Sequence, residues 1–153
     1  MGAATTALFG AGPIDDAFEP WRPEPADETA PGSAARHARV LVVEDEQIVR
    51  TWIARLLEEA GHAVRVAVSG ADALRLVADD PAGFDLLITD VRMPGVDGWE
   101  LGRRLTERWP DMPILYISGY DVQLPARSVT SFLRKPFDSE LLLRRVSELL
   151  KGG

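Results

Sequence analysis

Cysteine is absent from this 153-residue chain. Disulfides, thiolate metal sites and a cysteine nucleophile are therefore excluded, and the absence fits a reducing compartment. Basic residues are in deficit: 17 Lys and Arg stand against 24 Asp and Glu, a formal net charge of −7. That balance disfavours a nucleic-acid surface, because phosphate contacts need clustered cations. No apolar run approaches the roughly 18 residues of a membrane span. The N-terminus lacks a basic segment followed by a sustained apolar core, so a signal peptide is not expected. These absences describe a cytoplasmic protein with neither nucleic acid nor membrane as partner.

What is present divides into two parts. Residues 1–38 hold Pro13, Pro20, Pro23, Pro25 and Pro31 among alanines, glycines and acids. No helix or strand period survives that many prolines. The segment reads as a disordered leader or linker. The sharper alternative is a docking segment anchored by Phe18 and Trp21.

Residues 39–151 follow a strict alternation. "RVLVV" (39–43) is a short β-branched apolar run, as in a buried strand. Ile48, Val49, Trp52, Ile53, Leu56, Leu57 and Ala60 then form one apolar helix face, stopped by Gly61. "HAVRVAV" (62–68), "DLLIT" (85–89), "PILYIS" (113–118) and "TSFLR" (130–134) read as further strands. Helical periods fill 69–80, 101–109 and 138–151. Strands alternating with helices imply a parallel sheet covered on both faces. The expected fold is α/β: a doubly wound, five-stranded parallel sheet of order 2-1-3-4-5. Ligands of such sheets bind outside the C-terminal strand ends.

Those ends carry the chemistry. Strand one runs into Glu44 and Asp45, strand three into Asp90, strand four into Ser118 and strand five into Lys135. Each alone has a bland explanation, such as a helix-start acid or a solvated charge; their convergence on one edge does not. Carboxylates about 4 Å apart repel by about 4 kcal/mol per pair at an effective dielectric of 20. A hard divalent cation offsets that repulsion, and Mg²⁺ takes a few carboxylates plus waters and a phosphate. Lys135 adds a mobile positive charge, and Ser118 can donate to an oxyanion. This set suits nucleophilic attack by Asp90 on phosphorus.

The chain resembles the receiver domain of bacterial two-component response regulators. The resemblance spans residues 39–151 and rests on "LVVEDE", "LLITDVRMPGVDG", "ILYISGY" and "FLRKPF". It implies the flavodoxin-like receiver fold, with Asp90 as phosphoacceptor. It implies Mg²⁺ as cofactor, bound by Asp45, Asp90 and the backbone carbonyl of Arg92, with Glu44 acting through a water. Ser118 and Lys135 would contact phosphoryl oxygens, and the Lys135–Pro136 bond would be cis. Ser118 and Phe132 would form the conformational switch, and Gly98 is a candidate for positive φ. The implied partner is a histidine kinase or a histidine phosphotransfer protein, with an unspecified downstream protein target. Arg92 and Tyr120 would sit at the site rim, where a bulky pair screens attacking water and slows loss of the phosphoryl group.

Only Gly119 to Val129 is available to join strands four and five, and Pro125 restricts it further. The fourth helix of the family is therefore expected to be missing or reduced. This resembles the alphaproteobacterial "FAT GUY" receivers, which "YISGY" matches in part. The leading functional reading is a stand-alone receiver, since no DNA-binding domain follows the last helix; it would promote only its own phosphorylation and dephosphorylation and is not a turnover enzyme. The alternative is the C-terminal receiver of a hybrid histidine kinase, with residues 1–38 as its linker. A phosphohydrolase of the haloacid dehalogenase type would want an acid two residues after the nucleophile, where Arg92 stands. A degenerate receiver that only binds a partner is disfavoured because the core residues are all present.

Overall fold

The protein was studied as a computed structural model that describes residues 37–119 and 130–152. Five strands form one parallel sheet: β1 (Arg39–Val43), β2 (Ala63–Ala67), β3 (Leu86–Asp90), β4 (Ile114–Ser118) and β5 (Thr130–Arg134), in the order β2-β1-β3-β4-β5. Four helices accompany them among the described residues: α1 (Gln47–Glu59), α2 (Gly70–Ala78), α3 (Gly98–Arg108) and α4 (Ser139–Gly152). The doubly wound α/β fold and its strand order match the sequence expectation. The expected loss or reduction of a helix between β4 and β5 falls on residues 120–129, outside the described residues, as do Tyr120, Pro125, Phe18 and Trp21.

Side chains on a strand alternate between faces, so a fully buried strand feeds two cores. Leu41, Val43, Leu87, Ile114 and Tyr116 pack with Ala73 and Val77 of α2 and Leu101 and Leu105 of α3. Val40, Val42, Leu86, Ile88, Leu115, Ile117 and Leu133 pack with Ile53 and Leu57 of α1 and Leu142 and Val146 of α4. Each such Leu or Ile contributes about 1.5–3 kcal/mol by leaving water. At the N-terminal sheet edge, Arg39 pairs with Asp80, donates to the Gly83 carbonyl and lies over the Phe84 ring. That clamp anchors β1 to the turn before β3.

Capping sets the helix starts. Ser69 accepts from the Asp72 N–H at 3.0 Å and opens α2. Asp97 accepts from the Glu100 N–H at 2.9 Å and opens α3 at Gly98, three residues ahead of the first apolar step. Gly98 is not at positive φ, contrary to expectation; Gly95, three residues earlier, is, at φ +78°. Gly98 is needed for space instead. A Cβ there would overlap the Asp90 carbonyl oxygen and lie 2.9 Å from the Val91 Cα.

The two glycines should therefore fail differently. Gly98→Ala is expected to destabilise by about 3 kcal/mol, since the obstructing atoms are backbone. Gly95 has open space around its missing Cβ, so Gly95→Ala should cost only the left-handed backbone strain, about 1–2 kcal/mol. Urea unfolding of both variants checks this; equal losses would refute the distinction.

Candidate functional site

The sheet register brings the polar strand ends together. Val43 pairs with Thr89, so Glu44 and Asp90 lie level just beyond the β1–β3 ladder. Asp90 pairs with Ile117, and Ile117 with Leu133. The Lys135 N–H donates to the Ser118 carbonyl at 2.9 Å, which carries β5 one step past its ladder and over the same edge. The Lys135–Pro136 peptide bond is cis.

Around the Lys135 ammonium stand three carboxylates: Glu44 at 3.2 Å, Asp90 at 3.4 Å and Glu46 at 3.6 Å. Carboxylate oxygens of Glu44, Asp45 and Asp90 all lie within 4.8 Å of one another. Glu44 and Ser118 are fully buried and Asp90 nearly so, while Asp45 faces solvent. Backbone contacts fix the acids. The Glu44 N–H donates to the Ala67 carbonyl, its own carbonyl accepts from Arg50 Nη1 at 2.8 Å, and its Oε2 accepts from the Glu46 N–H at 3.1 Å. The Thr89 hydroxyl donates to the Asp90 carbonyl at 2.9 Å, and the Arg92 N–H reaches the Asp90 carboxylate.

Electrostatics follow from this crowding. Burial pushes the Glu44 carboxyl up to about 7; the Glu46 N–H opposes the rise and the Asp90 charge adds to it. Burial likewise raises the Asp90 carboxyl, against the pull of Lys135. Burial works to lower Lys135, but the charges of Asp90 and Glu44 outweigh it and hold the ammonium above its ordinary value. Glu44 Oε1 is buried and makes no hydrogen bond, only the ion contact with Lys135. One ammonium thus leaves the cluster with an excess of negative charge and an unsatisfied hard oxygen donor. Glu44, Asp45 and Asp90 therefore fit a divalent cation of the Mg²⁺ class.

Glu44, Asp90 and Lys135 share the face of β1, β3 and β5 that packs on α1 and α4, as the alternation from Val42, Ile88 and Leu133 requires. Ser118 continues the other face, two residues after Tyr116, and Phe132 is half-buried on that same face beside the α3 core. Tyr116 and Phe132 are register partners, and the Tyr116 ring packs against Trp99 in a tilted contact at 4.4 Å between ring centroids. Met93, Pro94 and Trp99 line an open cavity of about 510 Å³ beside the Asp90 loop, together with Val91, Arg92 and Asp97.

Three contacts were not foreseen from sequence. Glu46 reaches Lys135, Arg50 grips the Glu44 carbonyl, and Arg145 Nη1 donates to the Phe132 carbonyl at 2.8 Å. Glu46 had one visible signal, a third consecutive acid after β1. The two arginines had none, because their partners are backbone carbonyls.

The family model "Response regulator receiver domain" matches residues 40–147. "Sensor kinase CckA" of Brucella abortus is 38% identical over 119 residues, covering 74% of this chain and 13% of that protein. "Response regulator receiver protein CpdR" of the same organism is 35% identical over 117 residues, covering 73% of this chain and 96% of that protein. Among solved structures, a response regulator receiver protein from Sinorhizobium medicae superposes with a TM-score of 0.68 at 34% identity, covering 75% of this chain and 95% of that one. The chain thus spans nearly all of CpdR but a small part of CckA.

Protonation of Glu44 is linked to folding. Its carboxyl titrates near 7 in the folded chain against 4.5 as a free side chain. Between those values the folded state holds the extra proton, so the stability of the metal-free chain rises as pH falls through that window. With chelator present, Glu44→Gln is expected to be more stable than wild type by about 1–3 kcal/mol at about pH 8, the gap closing toward pH 5. His62, whose burial lowers its pKa, acts in the opposite sense in both proteins and cancels in the difference. A gap that does not vary with pH in urea titrations would contradict this account.

Proposed function

The chain belongs to the response regulator receiver domain family, and from that premise we propose that it takes a phosphoryl group from a phosphohistidine onto Asp90. The observation that carries this reading is the gathering of Glu44, Asp45, Asp90 and Lys135 at one sheet edge. The donor is a histidine kinase or a histidine phosphotransfer protein. An Asp90 carboxylate oxygen forms the new bond to phosphorus as the P–N bond breaks, and the electron pair returns to the imidazole nitrogen. The protein is a signalling domain that works in a reducing cytoplasm; it carries out no turnover of a separate substrate.

The position of each residue supports a role in that transfer. Asp45 and Asp90 would hold Mg²⁺ with the Arg92 carbonyl, and Glu44 would act through a metal-bound water. The ion, when bound, would offset the charge of the carboxylates and of the phosphoryl oxygens. The rigid end of β3 orients Asp90 for in-line approach. Lys135 pairs with a phosphoryl oxygen, and Ser118 donates a hydrogen bond to another. A phosphoryl group brings roughly −1.5 to −2 charge, and Ser118 and Phe132 respond together because they lie on one face. Residues 39–151 are the receiver unit, and residues 1–38 are a leader or linker. Arg92 screens the acyl phosphate from water.

A stand-alone response regulator is the favoured context, given the near-complete coverage of CpdR. The similarity to CckA of Brucella abortus and to a solved receiver domain from a hybrid histidine kinase of the same name gives the second context, a receiver inside a hybrid kinase. An antibody against α4 used on the source cells separates them, because the two contexts differ several-fold in polypeptide size.

Incubation with acetyl phosphate and Mg²⁺ is expected to add one phosphoryl mass to the intact protein. Asp90→Asn and addition of chelator should each abolish the gain, and Lys135→Ala should slow it by at least about tenfold, as expected for loss of a charge contact in the transition state. Undiminished labelling of Asp90→Asn would end the assignment. The acyl phosphate should persist for minutes or longer, and Arg92→Ala should shorten its life; a lifetime of seconds in wild type argues against the screening role.

A further inference from the structure

Glu46 occupies a helix-capping position, yet its side chain caps nothing. It is the residue before α1, with extended backbone at φ −86° and ψ 119°, and it accepts no bond from the first turn. At the matching positions of α2 and α3, Ser69 and Asp97 both cap. The longer Glu46 side chain turns back toward the sheet edge instead, bringing Oε1 within 3.6 Å of Lys135 Nζ. Of the three carboxylates around that ammonium, Glu44 and Asp90 are buried, while Glu46 is 65% exposed.

A fixed negative charge on the solvent side of Lys135 has two effects. An arriving phosphoryl oxygen must share the ammonium with the Glu46 carboxylate. The charge also repels an approaching anion in proportion to the anion's own charge, and most strongly at low salt. Neither effect alters the placement of Asp90, which β3 fixes.

We propose that Glu46 is a donor-selectivity residue: held against Lys135 at the entrance to the site, it discriminates against strongly anionic phosphodonors in favour of less anionic ones. This rests on Asp90 being the phosphoacceptor. Two small donors differ in the relevant property. Acetyl phosphate arrives as a dianion; its P–O bond breaks and acetate leaves with the electron pair. Phosphoramidate, protonated on nitrogen, arrives as a monoanion; its P–N bond breaks and ammonia leaves with the pair. In both cases an Asp90 oxygen gains the bond to phosphorus. The same carboxylate therefore acts about twice as strongly, in free energy, on the first donor as on the second.

The test is the rate constant of Mg²⁺-dependent labelling, followed by intact mass with each donor at low and high salt, for wild type, Glu46→Gln and Glu46→Asp. Glu46→Gln is expected to accelerate labelling by acetyl phosphate about fivefold and by phosphoramidate about twofold, both gains shrinking at high salt. Glu46→Asp, which keeps the charge, should keep the wild-type donor ratio. Equal gains with both donors, gains unaffected by salt, or no gain would each overturn the proposal and leave the role of Asp90 standing. Wild type that neither donor labels would remove the phosphoacceptor assignment, and this proposal with it.

Discussion

A single ammonium group holds three carboxylates together at the open edge of a parallel sheet. Lys135 lies within 3.6 Å of Glu44, Asp90 and Glu46, and Asp45 stands close to two of them. The rest of the domain is organised around that charge imbalance. The strands must be rigid, because acids this close separate whenever the backbone allows it. The loops after the strands must be tied down, as the three-point hold on the Glu44 peptide group and carboxylate does for the β1–α1 turn. The cluster also remains short of positive charge, which is what makes it receptive to a divalent ion.

The alternation of strand side chains divides the site into two parts with different freedoms. Glu44, Asp90 and Lys135 continue the face covered by α1 and α4, so the charged centre is backed by Ile53, Leu57, Leu142 and Val146. Ser118 and Phe132 continue the face covered by α2 and α3, where Tyr116 and Trp99 pack ring against ring. Ser118 thus meets the charged centre from the opposite face of the sheet, the face on which Phe132 lies. Arg145 connects the parts: it lies on α4 yet donates to the Phe132 carbonyl and approaches the Ser131 hydroxyl at 3.3 Å. Motion of β5 at Phe132 would have to break or carry that bond.

Much of this was legible in the sequence, for physical reasons. Buried parallel strands are short β-branched runs, and their ends are marked where apolar residues give way to Glu44, Asp90, Ser118 and Lys135. Topology then places all those ends on one edge, so the site follows from the fold. What was not legible depends on approach between elements distant in sequence. Gly98 shows this well. A glycine after a loop invites a backbone-conformation argument, yet the need is for α3 to start against the Asp90 carbonyl, and nothing in the local sequence reports that distance. Arg50 and Arg145 are similar, because they grip main-chain carbonyls that every residue possesses. The direction of the Glu46 side chain was hidden because its partner, Lys135, is 89 positions away in the sequence.

The energetic scale explains why such a cluster is tolerated. Two carboxylates about 4.8 Å apart repel by about 3–4 kcal/mol at an effective dielectric of 20. Burial of each large aliphatic side chain contributes about 1.5–3 kcal/mol. Leu41, Leu87, Ile88, Leu115 and Ile117 are all fully buried on the strands that carry or flank the cluster. Two or three of them offset one such repulsion, and the sheet supplies several. The repulsion also has an outlet short of unfolding, since Glu44 takes up a proton near 7 when no cation is bound. The apolar sheet therefore does more than display the acids. Its surplus of burial energy allows a centre crowded with negative charge to persist in the metal-free state, where a divalent cation would relieve the repulsion.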